Sequence, residues 1–235
     1  MSQLNSLLIV EDEAAIRNGL IDVFVYHGFK VDFAEDGAVG LEKALSGQYD
    51  LVILDVMLPS MNGFDICAGI RAQDKDQPII MLTAKTADED VIQGLSLGAD
   101  DYVAKPFSVA QLVLRVQAVL RRASKLNVRS QKIQLGGNRL IDTVNLCAMI
   151  DDVSVPFTRR EMDVVEYLQQ HRERPVSREE LLEEVWGYNA DMAVETRTVD
   201  IHIAKIRRKI EVTPKAPAFL VTVRGAGYRL LSEAE

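Results

Sequence analysis

Along the first half of the chain, short runs of apolar residues alternate with longer stretches in which apolar residues recur every three or four positions. The runs are Ser6–Val10, Lys30–Ala34, Leu51–Leu54, Ile79–Leu82 and Tyr102–Ala104. Each is followed by helical spacing: Ile16, Leu20 and Val23 mark one stripe, and Val109, Leu112, Val116, Val119 and Leu120 mark the last. Five successive β-then-α units predict an α/β fold, and runs apolar throughout predict a doubly wound parallel five-stranded sheet covered by helices on both faces. Right-handed crossovers leave few topologies, of which the flavodoxin-like strand order 2-1-3-4-5 is the expectation.

The pattern then changes. Residues 123–131 (ASKLNVRSQ) are polar and aperiodic and read as a linker between a domain at 1–122 and a second at 132–235. The second opens with short strands turning at Gly136-Gly137, Asp142, Asn145 and Asp151-Asp152, a small antiparallel meander. Helical segments follow at about Thr158–Gln170, Ser177–Trp186 and Thr196–Glu211, with Ser177-Arg-Glu-Glu180 reading as a capping box at the start of the second. A terminal hairpin, Phe219–Val223 and Tyr228–Leu231, turns at Arg224-Gly-Ala-Gly227. The sum is an α/β domain followed by an α+β domain.

Composition narrows the function classes. A chain of 235 residues, 48% hydrophobic and 26% charged, is suited to two folded domains and excludes wholesale disorder. The net charge of −8 lies entirely in residues 1–122, and residues 123–235 balance to zero, so overall acidity does not exclude a nucleic-acid partner for the second half. No apolar run approaches the ~18 residues of a membrane span and no basic stretch precedes Leu7–Val10, so a cytoplasmic protein is expected. Cys67 and Cys147 lack metal-ligand spacing and read as small packing residues.

In an open parallel sheet the carboxyl ends of the strands share one edge, where ligands bind. Those ends carry Glu11 and Asp12 after the first strand, Asp55 after the third, Thr83 after the fourth, and Lys105 followed by Pro106 after the fifth. The first and third strands are neighbours in this order, so Glu11, Asp12 and Asp55 share a pocket. Carboxylates packed so closely repel, and a proton or cation must relieve them. An all-oxygen set suits a hard ion such as Mg2+, which leaves room for phosphate oxygens. Asp55 then reads as a nucleophile toward a phosphoryl group, with Lys105 and Thr83 positioned for its oxygens.

The segments Val10-Glu-Asp-Glu13, Leu54-Asp-Val-Met-Leu-Pro59 with Asn62-Gly63, Leu82-Thr-Ala84, and Gly98-Ala-Asp-Asp-Tyr102 through Lys105-Pro-Phe107 resemble a response-regulator receiver domain over essentially all of residues 5–122. The resemblance implies that Glu11, Asp12, Asp55 and the backbone carbonyl of Met57 hold Mg2+, that Asp55 is the phosphoacceptor and Lys105 the phosphate clamp, and that Thr83 and Tyr102 form a switch pair. It also implies a cis Lys105–Pro106 bond. Phosphorylated receivers of this kind pair symmetrically through charged residues; Asp101 with Arg115 and Asp100 with Arg122 match two such pairs by position. Val91 and Gln111 stand where the third pair is expected.

In the second half, Thr196–Ile210 (TRTVDIHIAKIRRKI) has an apolar stripe of Val199, Ile203, Ile206 and Ile210, with Arg197, His202, Lys205, Arg208 and Lys209 mostly off it. A preceding helix and a hairpin carrying Arg224 and Arg229 complete a helix-turn-helix with a wing, whose second helix enters the major groove. Ser177–Leu182, Val185-Trp-Gly187, Thr198–Ile203, Ile206–Ile210 and Val223–Arg229 resemble the effector domain of the OmpR/PhoB group across nearly all of 132–232. The candidate DNA contacts are Arg197, Thr198, His202, Lys205, Arg207, Arg208 and Arg224; His202 reads either as a groove contact or as the edge of the core. Trp186, Val199 and Tyr228 read as core.

The function these readings imply is a transcription regulator controlled by phosphorylation, with a sensor histidine kinase, promoter DNA, a second copy of itself and RNA polymerase as partners. A Mg2+-dependent phosphatase or phosphotransferase with the same aspartyl chemistry is the rival from another class. It lacks an acidic residue placed after Asp55, where Val56 and Met57 stand. A third reading is a DNA-binding protein that works without phosphorylation, which a phosphate-transfer assay separates from the first.

Overall fold

Every strand of the first unit is a four- or five-residue segment, and the three central ones are almost wholly withdrawn from solvent. In the computed structural model, which describes residues 4–83, 97–123, 132–188 and 197–232, β1 (Ser6–Val10), β2 (Lys30–Ala34), β3 (Leu51–Asp55), β4 (Ile79–Thr83) and β5 (Asp101–Ala104) form one all-parallel sheet. The order is β2-β1-β3-β4-β5, with Leu7 opposite Leu51, Ile53 opposite Ile80 and Met81 opposite Tyr102. Helices α1 (Ala14–Tyr26), α2 (Gly37–Ala44), α3 (Gly63–Gln73) and α4 (Val109–Ala123) accompany it.

Side chains of alternate strand positions pack against α1 and α4: Leu7, Ile9, Leu51, Ile53, Ile80 and Leu82 meet Leu20, Phe24, Leu112, Val116 and Val119. The intervening Leu8, Val10, Val52 and Leu54 are equally buried, and Gly40 of α2 lies so close to Val10 that a Cβ there would meet it at 2.6 Å. Burial on both faces is why the strands are apolar without alternation. Val91 and the segment that would carry the rest of its helix lie outside the described residues. Ala123, expected to open the linker, is the last residue of α4.

The chain divides into two compact units, Met1–Ser124 and Lys125–Glu235. The second opens with an antiparallel sheet, β6 (Lys132–Leu135), β7 (Arg139–Asp142), β8 (Cys147–Ile150) and β9 (Val153–Pro156), in sequential order. Asp151 and Asp152 both have positive φ (48° and 66°), the two-residue turn that matches strand twist between β8 and β9. Then come α5 (Arg159–Gln170), α6 (Arg178–Leu181) running into one π-helical turn at Leu182–Trp186, α7 (Arg197–Ile210), and the hairpin β10 (Leu220–Val223) and β11 (Gly227–Leu230).

The expected capping box at Ser177 is only half formed. Ser177 Oγ accepts from Glu180 N, but the Glu180 carboxylate is drawn away by Arg174 and the Tyr167 hydroxyl. A complete box sits at α5, where Thr158 and Glu161 bond reciprocally. Trp186, Val199 and Tyr228 are buried as expected. Among the described residues no helix is long and apolar enough to cross a membrane.

Candidate functional site

The carboxyl edge of the parallel sheet gathers the charged residues of the first unit. Asp55 ends β3 and Glu11 directly follows β1; both are buried, whereas Asp12 is exposed. Ligand oxygens of Glu11, Asp12 and Asp55 all lie within 4.8 Å of one another. Lys105, just beyond β5, places Nζ 2.7 Å from Glu11 Oε2 and 3.3 Å from Asp55 Oδ2. Asp55 Oδ1 accepts from Val56 N at 2.8 Å, which leaves Oδ2 toward the lysine. Thr83 ends β4, fully buried, and its carbonyl accepts from Lys105 N at 2.6 Å. The Lys105–Pro106 bond is cis.

The loop after Asp55 is tied down from two sides. Gly63 lies against the backbone of Asp55, where a Cβ would stand 2.2 Å from Asp55 O, so only glycine fits the start of α3. Pro59 O accepts from Gly37 N at 3.1 Å, and Ser60, at φ 64°, donates its hydroxyl to Asp36.

One ammonium, that of Lys105, pairs with both Glu11 and Asp55, and the titration of these three groups reflects it. Burial pushes Glu11 and Asp55 above the usual carboxylate range despite Lys105. Burial opposes the charge on Lys105, but the hydrogen bond to Glu11 and the Asp55 and Glu11 charges outweigh it and raise the ammonium. Excess negative charge, three convergent oxygen donors and no imidazole or thiolate among them fit a hard divalent cation.

In the second unit, α7 is held between α5, α6 and the terminal hairpin. Glu161 of α5 is completely buried and faces Lys205 Nζ at 3.1 Å and Lys209 Nζ. Asp200 accepts from Arg178 Nε at 2.7 Å and from the Tyr228 hydroxyl, linking α7 to α6 and β11. Arg207 donates to Leu220 O and Thr222 Oγ1, both at 2.7 Å, fixing the hairpin to the helix. Arg208 and Ala204 of α7 and Arg224 at the hairpin turn are exposed.

These two units match two families in succession: residues 7–117 the response regulator receiver domain, and residues 152–230 the family described as transcriptional regulatory protein, C terminal. The chain is 37% identical over 238 residues to the alkaline phosphatase synthesis transcriptional regulatory protein SphR of Synechococcus elongatus, covering 97% of this chain and 92% of SphR. The structure of a RitR mutant is similar with a TM-score of 0.72 at 28% identity, covering 97% of this chain and 99% of that one. DrrB of Thermotoga maritima, an OmpR/PhoB homologue, is similar with a TM-score of 0.50 at 29% identity over 97% and 99% of the two chains. The chain belongs to the OmpR/PhoB group of response regulators. It is a two-component transcription regulator in which a receiver is joined to a C-terminal DNA-binding domain, a transcription factor rather than a dedicated enzyme.

The regulator's structure brings Glu11, Asp12, Asp55 and Lys105 together and sets Thr83 on the adjacent strand end, with Tyr102 buried on β5. Met57, two residues beyond Asp55, turns its side chain to solvent. On the expected dimer face, Gln111 is half-buried, and Asp101 and Arg115 pair within one chain at 2.6 Å. Asp100 is buried and accepts from Arg71 Nη2 and Ile79 N, both at 2.9 Å. The Arg122 side chain lies outside the described residues.

Three expected DNA contacts are corrected. His202 is wholly buried, edge-on to Trp186 with ring centroids 5.1 Å apart, and its Nδ1 donates to Thr198 O at 2.8 Å. Lys205 is turned inward to Glu161, and Thr198 is buried at the start of the helix. The physical reason is a second inward row, 198–202–205–209, beside the apolar stripe; it gives the Glu161 carboxylate its counter-charges. Sequence reasoning also missed the Arg207–Thr222 clamp. Thr158-x-x-Glu161, a capping pattern ahead of an apolar run, was the signal for Glu161. The Arg197 side chain lies outside the described residues.

Proposed function

We propose that Asp55 is the phosphoacceptor of a Mg2+-assisted transfer from a sensor histidine kinase, and that the phosphorylated receiver dimerises to promote promoter binding. The observation that supports this is the convergence of the Glu11, Asp12 and Asp55 oxygens within 4.8 Å of one another, with Lys105 Nζ 3.3 Å from Asp55 Oδ2. Glu11, Asp12, Asp55 and the Met57 carbonyl are the residues to hold Mg2+, which when bound supplies positive charge to phosphoryl oxygens.

The Val56 amide holds Asp55 Oδ1, so Oδ2 is the oxygen to form the new bond to phosphorus. The P–N bond of the kinase phosphohistidine breaks as it forms, and its electron pair returns to the imidazole. Lys105 moves from carboxylate to phosphoryl oxygen, and the Thr83 hydroxyl donates to another. Thr83 and Tyr102 then report the phosphate to the face carrying Asp101, Gln111 and Arg115, with Val91 and Arg122 completing that face. Arg208, Arg224 and Arg197 are the residues to meet DNA, while Arg207 holds the wing in register. On this reading the chain is a phosphoacceptor with at most slow self-catalysed phosphotransfer and dephosphorylation.

Incubation with phosphoramidate and Mg2+ tests the reading. The chain should acquire one hydroxylamine-sensitive phosphate, lost in Asp55→Asn without loss of fold. Labelling that persists in Asp55→Asn, or that ignores Mg2+, overturns it.

A further inference from the structure

Glu11 and Asp12 are consecutive, and in an extended strand consecutive side chains point to opposite faces. Both reach Asp55 only if the chain leaves extended geometry between them. β1 keeps its ladder through Val10, paired to Ala34 and Leu54, and Glu11 N still donates to Ala34 O at 3.1 Å. Past that point the carbonyls cease to alternate. Glu11 O and Asp12 O turn to the same side, and one nitrogen takes both: Arg17 Nη1, at 2.9 Å from each.

Arg17 sits in the first turn of α1 with its side chain only 9% exposed. Its Nη2 reaches Glu35, just past β2, at 3.1 Å, and its guanidinium lies 5.4 Å from the centre of the Phe33 ring. The group therefore spans α1, the turn after β1 and the end of β2. Its Nε is buried with no hydrogen-bond partner among the described residues, so an unsatisfied donor is tolerated to keep the Nη contacts. A planar fork with a fixed spread of donors suits this bridging in a way that an ammonium does not.

We propose that Arg17 is a positioning residue for the phosphorylation site: it fixes the turn that aims Glu11 and Asp12 at Asp55 and thereby sets the divalent-cation affinity of the site, touching neither cation nor phosphoryl group. The inference rests on the reading that these carboxylates hold the cation. Residues that orient metal ligands from behind typically change affinity by about 10- to 100-fold when lost.

The test uses the full chain and Mn2+ as a paramagnetic stand-in for Mg2+, with free Mn2+ counted by electron paramagnetic resonance and folding followed separately by circular dichroism. Arg17→Met should weaken Mn2+ binding about tenfold, the low end of that range, and Arg17→Lys by less. A residue that merely anchored α1 would lower the melting temperature and leave the affinity of the folded protein unmoved. Unchanged affinity in folded Arg17→Met overturns the proposal.

If Arg17→Met does not fold, Glu35→Gln decides. That side chain is 69% exposed, so its change does not threaten the core; weakening by about twofold supports the proposal and no change overturns it. Asp12→Asn separates the two readings. If it binds Mn2+ as tightly as the parent chain, or the parent binds none, the metal site itself fails and the inference with it. If Asp12→Asn weakens binding and folded Arg17→Met does not, only the role of Arg17 falls.

Discussion

Glu161 in the DNA-binding unit and Asp55 in the receiver are both buried beside lysine, yet their carboxyl groups are driven in opposite directions. Burial opposes the charge on Glu161, but Lys205, Lys209 and the Thr158 amide outweigh it and hold the group down at about 2. Burial on Asp55 prevails over its lysine and raises it. The difference lies in the ratio of partners. Glu161 has two ammonium groups to itself, whereas Glu11 and Asp55 share one, with the Asp12 carboxylate close beside them. The first arrangement is a closed ion pair that positions α7 against α5. The second carries surplus negative charge, which a bound divalent cation would relieve.

The largest expected effect comes from breaking the closed pair. Glu161→Gln keeps the shape but strands Lys205, which is only 6% exposed, and should destabilise the C-terminal unit by about 3 to 5 kcal/mol. Urea unfolding followed through Trp186, the one tryptophan and a residue buried in that unit, reads it directly. Asp55→Asn should do the reverse in the receiver, leaving its stability equal to or above that of the parent chain because a buried like charge is removed. Equal losses in both variants would erase the distinction between the clusters.

The same contrast explains what the sequence discloses. Glu11, Asp12, Asp55, Thr83 and Lys105 are legible because each follows a short apolar strand, and strand order alone delivers those ends to one edge. Helix α7 offers no such anchor. Lys205 and Arg208 are three residues apart and chemically alike, but one faces Glu161 and the other solvent. Which of two basic residues turns inward depends on a carboxylate more than forty positions away. Asp100 is opaque for the same reason, since its partner Arg71 comes from α3.

A second, more moderate effect should appear on acidification. Burial, then the neighbouring Lys205, lowers His202 from its ordinary value of 6.5 to about 3, with Arg160 and Glu161 also facing it. The unfolded chain therefore takes up this proton first. The resulting loss of stability is negligible well above pH 6.5 and grows as pH falls, to about 2 kcal/mol by pH 5. Glu11 and Asp55 work in the opposite sense: raised in the fold, they take up protons before the unfolded chain does, so mild acid relieves the receiver. Hydrogen exchange of the full chain at pH 7 and pH 5, corrected for intrinsic rates, should show the C-terminal unit loosening while the receiver does not. His202→Leu should abolish the acid response of the former; its persistence would assign the response elsewhere.

The smallest effect distinguishes inward from outward basic residues within α7 and the wing. Removing one side chain that neutralises a phosphate reduces the dependence of DNA affinity on salt by about one unit of the log–log slope. Arg208→Ala and Arg224→Ala, both exposed, should each lower the slope by about that much and weaken binding by ~1 kcal/mol, with little change in melting. Lys205→Met should do the opposite, because its ammonium is committed to Glu161 and meets no phosphate. Its slope should match that of the parent chain even though the domain melts earlier. A reduced slope in Lys205→Met would mean that the lysine swings out when DNA binds, and that the closed pair of the C-terminal unit opens on binding.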